Sequence, residues 1–154
     1  MSDYQRVLLA TDFSDCSQRA RDVACQLADK FDAKLHVIHV IHKMAVEVPD
    51  FGMGLAFPGY LENIPETKKK LSDKAQEMLA KEIAENWKES HQATFSIRFG
   101  VPDEEIVDYA SQNNIDMIVI GTHGRSGLPH LLLGSVAERV IHRASCPVVT
   151  VKQE

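Results

Sequence analysis

Ile115-Asp116-Met117-Ile118-Val119-Ile120-Gly121-Thr122-His123-Gly124-Arg125-Ser126-Gly127-Leu128-Pro129-His130-Leu131-Leu132-Leu133-Gly134-Ser135 decides how the whole chain is read. An apolar run opens it, a glycine-rich segment follows, and Val136-Ala137-Glu138-Arg139-Val140-Ile141 continues as a helix. Strand, glycine loop and helix together hold a phosphate. Glycine lets the backbone approach an anion and take positive φ, and the N–H groups and dipole of a helix start favour negative charge. The loop is not a P-loop, because no Gly-Lys-Ser/Thr triplet is present, and it is not G-x-G-x-x-G either. Arg125 is a candidate to meet a phosphate directly. Ser135 is a candidate to donate its hydroxyl to a phosphate oxygen or to cap the last helix, and the two roles are compatible.

Upstream, short apolar runs alternate with helical stripes. Arg6-Val7-Leu8-Leu9-Ala10-Thr11 reads as a parallel strand buried on both faces. Ala20, Val23, Ala24, Leu27, Ala28 and Phe31 then recur at helical spacing, with Ser14 or Asp15 able to cap and Gln18 to close a capping box. A second strand spans 33–41. An irregular stretch from about residue 42 to residue 66 carries Pro49, Gly52, Gly54, Pro58, Gly59 and Pro65, and loops of this length often serve as lids or partner surfaces. Leu71, Ala75, Met78, Leu79, Ile83 and Trp87 mark a long amphipathic helix, opened by Lys68-Lys69-Lys70. Residues 93–99 alternate apolar and polar, which suits an edge strand with one open face. Pro102 starts the next helix, Ile106, Val107 and Ala110 form its inner face, and Asn113-Asn114 end it. Residues 146–151 form a last strand.

This β-α alternation predicts one α/β domain over 1–154, a parallel sheet covered by helices on both faces, in flavodoxin-like or Rossmann-like order. Ligands of such sheets bind beyond the carboxyl ends of the strands, where the strand order reverses. If the first and fourth strands are neighbours, the turn at Asp12 meets the Gly121 loop there. Asp12 then suits the polar edge of a base or a ribose hydroxyl, because it would repel phosphates; its plainer role is to brace the first turn.

Composition narrows the partners. The chain has 154 residues, a hydrophobic fraction of 44%, a charged fraction of 25% and a formal net charge of −5. That balance argues against a nucleic-acid backbone as the main partner, while a site built of backbone amides needs no net positive charge. Cys16, Cys25 and Cys146 lack C-x-x-C spacing and read as reduced thiols filling small volumes. No apolar run reaches the ~18 residues of a membrane span and no signal-peptide pattern opens the chain, so no membrane insertion is expected and the cytoplasm is the expected compartment.

Gly121-x-x-Gly124, nine residues, then Gly134-Ser135 resembles the ATP-binding motif of the universal stress protein family. The opening Val7-Leu8-Leu9-Ala10-Thr11-Asp12-Phe13-Ser14 and the closing Ser145-Cys146-Pro147-Val148-Val149-Thr150-Val151 resemble its first and last strands. The resemblance implies a Rossmann-like, adenine nucleotide alpha hydrolase-like sheet of five strands in order 3-2-1-4-5, and a homodimer formed through the last strands. It implies ATP, ADP or AMP as ligand: Asp12 and the backbone near Val40 at the adenine, Gly121 near the ribose, and Gly124, Gly134, Ser135 and Val136 around the phosphates. Phe13 departs from the family pattern, since many members carry glycine there, and it is expected to reshape or cover the adenine pocket.

Other constellations are weaker. His36 and His39 point to opposite faces of one strand and cannot share an ion within it, so no resident metal site is expected; Mg2+ or Mn2+ would arrive with the nucleotide, whose phosphates supply most ligands. No serine sits in G-x-S-x-G. The expected function is therefore a regulatory nucleotide-binding module in a stress response, with an unidentified protein partner. The alternatives are a slow ATP hydrolase or nucleotidyl or phosphoryl transferase drawing on Asp12, His123, Arg125 and His130, and a nucleotide-independent scaffold.

Overall fold

Strands and helices alternate in the computed structural model, which describes residues 3–43, 64–84, 87, 93–124 and 133–153. The order is β1 (Arg6–Ala10), α1 (Asp15–Phe31), β2 (Lys34–His42), α2 (Ile64–Ala84), β3 (Ala93–Gly100), α3 (Pro102–Gln112), β4 (Met117–Gly121), α4 (Ser135–Arg143) and β5 (Val148–Val151). The five strands form one parallel sheet ordered β3-β2-β1-β4-β5. This is the α/β class that the alternation predicted and the 3-2-1-4-5 order that the resemblance implied. The order reverses between β1 and β4, and a crevice opens there beyond their carboxyl ends.

The continuous apolar runs explain the central strands. Val7, Leu8, Leu9, Ile118 and Val119 are fully buried because helices cover both faces. The period-two pleat divides them. Val7, Leu9, Val37 and Val119 pack under α1 and α2, against Ala20, Ala24, Ala28, Leu79 and Ile83. Leu8, Ala10, Ile38, Ile118 and Ile120 pack under α3 and α4, against Ile106, Tyr109, Ala110, Ala137 and Val140. The alternating strand β3 lies at a sheet edge and is partly exposed along its length. His36 and His39 do face opposite sides: His36 Nδ1 lies 2.9 Å from the Tyr109 hydroxyl under α3, and His39 stacks on Phe13, which packs on the α1 side.

Several boundaries differ from the sequence reading. His42 continues β2, paired in register with Gly100. Helix α2 begins at Ile64, so Pro65 and Glu66 belong to its first turn; proline needs no donor there and its φ suits a helix. The lysine triplet 68–70 therefore follows that turn rather than opening the helix, and Lys70 pairs with Glu66 at 3.0 Å. The rest of the expected long loop, residues 44–63, lies outside the described residues. Tyr109 joins Ile106 and Ala110 on the buried face of α3.

Helix α4 is fixed from the α3 side by a carboxylate. Asp103, in the first turn of α3, is only 2% exposed and meets Arg143 at 3.0 Å and Arg139 at 3.6 Å. No helix among the described residues is long and apolar enough to cross a membrane.

Candidate functional site

A cleft of about 510 Å³ occupies the crevice between the ends of β1 and β4. One end is apolar, built from Ala10, Ile38, Val40, Pro102, Ile106 and Ile120. The other is made of Gly121, Thr122, His123, Gly124, Gly134, Ser135, Val136 and Ala137. Thr11, Asp12 and Ser17 complete the wall from the β1 side. Asp12, Val40, Gly121, Gly124, Gly134, Ser135 and Val136, seven positions singled out in the sequence, thus surround one space. Arg125 and His130 lie outside the described residues.

Asp12 is held by the start of α1. Its Oδ1 accepts from the Ser14 N–H at 3.0 Å and from the Ser17 hydroxyl at 2.6 Å. The Asp12 N–H in turn donates to Ser17 Oγ at 3.2 Å. Ser14 is the N-cap and accepts from the Ser17 N–H at 3.2 Å. The helix entry is therefore closed by Ser14 and Ser17, and the box through Gln18 does not form, because Asp15 is already helical. Asp12 both braces the turn and faces the cleft. Ser17, only 4% exposed, is the residue the sequence reading missed; its signal was the D-x-S-x-x-S spacing, which places a third polar group one turn into an otherwise apolar helix face.

The glycines work through space rather than through φ. Among the described residues, Gly121, Gly124 and Gly134 do not have positive φ. A Cβ on Gly124 would stand 2.5 Å from Asp12 Oδ2, and one on Gly121 would stand 2.8 Å from Cys16 Sγ. Gly124 is thus where the loop meets the acidic turn, and Gly121 is where β4 meets α1. The left-handed conformation falls instead on Phe13, at φ 64°. Phe13 is not part of the cleft wall: it lies on the opposite face of the sheet, so it neither fills nor covers the apolar end.

Gly134 is the N-cap of α4 and supplies no side-chain cap. Ser135 is the first helical residue and exposed, which removes the capping role considered for it. The first hydrogen bond of the helix is that from the Glu138 N–H to the Gly134 carbonyl, 3.0 Å. The N–H groups of Ser135, Val136 and Ala137 precede it and carry the positive end of the helix dipole at the cleft wall. Thr122, buried, lies 3.0 Å by its Oγ1 from His123 Nδ1, and the Gly134 N–H donates to its carbonyl, joining the two ends of the loop. Chemically, the cleft suits a ligand that carries both an apolar part and an anionic group. Among the described residues no group of three or more His, Cys, Asp or Glu could hold a metal ion.

Known proteins share this architecture. The model of the Universal stress protein family matches residues 3–152. Universal stress protein MJ0531 of Methanocaldococcus jannaschii is 41% identical over 152 residues, covering 97% of this chain and 83% of that protein. The solved structure of protein MJ0577 from the same organism superposes with a TM-score of 0.75 at 29% identity, covering 98% of this chain and 97% of that one. A universal stress protein of Archaeoglobus fulgidus, solved in complex with dAMP, superposes with a TM-score of 0.58 at 26% identity and covers 99% of this chain and all of its own (100%). With the motif residues gathered at the sheet's reversal point and the family pattern running from end to end, the chain belongs to the universal stress protein family.

Proposed function

We propose that this chain is a regulatory module that binds an adenine nucleotide, ATP, ADP or AMP, in the cleft between β1 and β4. The observation that carries the proposal is the lining of that cleft: apolar side chains of β1, β2, α3 and β4 around the same space as the uncapped amino end of α4. The base lies beside Val40 and Ile106. The ribose passes Gly121. The phosphates sit at Gly124, Gly134, Ser135 and Val136, where N–H groups of α4 supply donors and positive dipole charge. Asp12 is set against the base or ribose, because a carboxylate at the phosphate end would repel the ligand. Arg125 adds a cation to the phosphates. The dAMP carried by the A. fulgidus relative supports an adenine nucleotide over other anions. Mg2+ or Mn2+ enters with the phosphates, which supply most of its ligands.

Binding would then change what a protein partner sees, in the cytoplasm and in a homodimer joined through the β5 edge. Titration calorimetry with AMP, ATP and GTP on the folded chain tests the reading. Saturable binding of AMP and ATP in preference to GTP is expected; the absence of saturable adenine-nucleotide binding would sink it.

A further inference from the structure

Phe13 and His39 form a second structure behind the cleft. The turn from β1 into α1 places Phe13 at φ 64°, a region that a bulky L-residue rarely adopts because its Cβ crowds the backbone. Such a conformation persists only where its surroundings over-determine it. Here the surroundings are the core under α1, on which Phe13 packs, and one aromatic side chain from β2 stacked on its ring. The His39 ring stacks on Phe13 with centroids 4.5 Å apart and planes at 43°. Its Nδ1 lies 2.8 Å from the Thr11 carbonyl oxygen; a carbonyl can only accept, so Nδ1 carries the proton. The Phe13 N–H closes the turn by donating to Thr11 Oγ1 at 3.1 Å. Thr11 and Phe13 are thus both held from the α1 face, and Asp12, between them, faces the cleft on the other side.

We infer that His39 is a positioning residue of the cleft: it holds Phe13 in the left-handed conformation that directs the Asp12 carboxylate toward Gly124. As a statement about binding, this rests on the adenine-nucleotide reading above. A glycine at position 13 adopts positive φ without support. Phenylalanine does not, and this chain supplies the support from β2. A histidine that merely fills space would show no such dependence on residue 13.

The test is a double-mutant cycle on the full chain, read by AMP affinity and by thermal melting. His39→Ala is expected to weaken AMP binding about tenfold, because the competent turn becomes a minor state. Phe13→Gly is expected to bind within about twofold of the parent, since glycine keeps the turn. The decisive variant is Phe13→Gly/His39→Ala, expected to recover the affinity of Phe13→Gly. If the double variant binds as weakly as His39→Ala, or if His39→Ala binds like the parent, the inference is overturned. Should His39→Ala fail to melt cooperatively, the same cycle is read with His39→Gln, which keeps a donor but not the ring stack, with the same two outcomes. A parent chain that binds no AMP removes the nucleotide reading and this inference with it, whereas a binding parent without rescue removes this inference alone.

Discussion

At the scale of single residues the site turns on close approach. A methyl at Gly124 would stand 2.5 Å from Asp12 Oδ2, and that carboxylate is already committed through Oδ1 to the Ser14 N–H and the Ser17 hydroxyl. Gly124→Ala must therefore push Asp12 off its hydrogen bonds. AMP affinity is expected to fall about tenfold, because the carboxylate leaves the place it holds at the cleft, while the loss of stability is smaller, because the atom displaced is the end of a flexible side chain that regains water. Gly121→Ala gives the opposite division. Its Cβ would meet Cys16 Sγ at 2.8 Å and the Cys16 backbone carbon at 3.2 Å, and Cys16 is buried with its thiol donating to the Val151 carbonyl. The helix cannot give way cheaply, so a loss of about 1–3 kcal/mol of stability by urea unfolding is expected. A Gly124→Ala chain with unchanged affinity would show that Asp12 has no part in binding.

At the scale of elements, the placement of α4 depends on α3. Asp103 is almost wholly buried, whereas its partners Arg143 and Arg139 are 51% and 60% exposed along their side chains. Removing Arg143 leaves a buried carboxylate with one weaker partner, which is the costly half of such a pair. Arg143→Met is expected to destabilise the chain by about 2 kcal/mol, and Arg139→Met, whose contact is longer, by about 0.5 kcal/mol; urea midpoints of the two variants check the order. The central strands were legible beforehand because burial on both faces leaves a period-free apolar run, and β3 because its alternation marks an open face. The glycine loop and the Asp12 turn were each legible locally, and the sheet order brought them together. The start of α2 was not, since proline reads as a breaker until the structure shows it inside the first turn. Nor was the left-handed turn at Phe13, because nothing in the residue itself favours positive φ; its cause lies 26 residues later in sequence, at His39. The cap through Ser17 was missed for a related reason: neighbouring serines compete for the same N–H groups and only geometry chooses among them.

At the scale of the whole molecule, burial makes stability depend on pH at both limits. Burial pushes the Cys25 thiol from its ordinary 9.0 up to about 12, and nearby Arg21 lowers it only partly. The unfolded chain thus releases this proton before the folded one, so the contribution is intact below pH 9 and is lost as pH rises through about 12. Burial beside Arg6 and Lys34 lowers the pKa of His36 from 6.5; its contribution is intact above 6.5 and lost as pH falls through the lowered value. Urea midpoints are expected to fall on both sides, less steeply on the alkaline side in Cys25→Ala and on the acid side in His36→Gln; parallel pH profiles for parent and variants would contradict the assignment. The hydrogen bond from the Gly134 N–H to the Thr122 carbonyl acts on the same scale. It ties both feet of the segment 123–133 to one point. Closure entropy grows only with the logarithm of length, about 0.6 kcal/mol for each doubling. Beyond Gly124 and Arg125, the segment is therefore a place where descendants of this chain can gain or lose residues at small cost, acquiring new surfaces while the frame beneath is inherited unchanged.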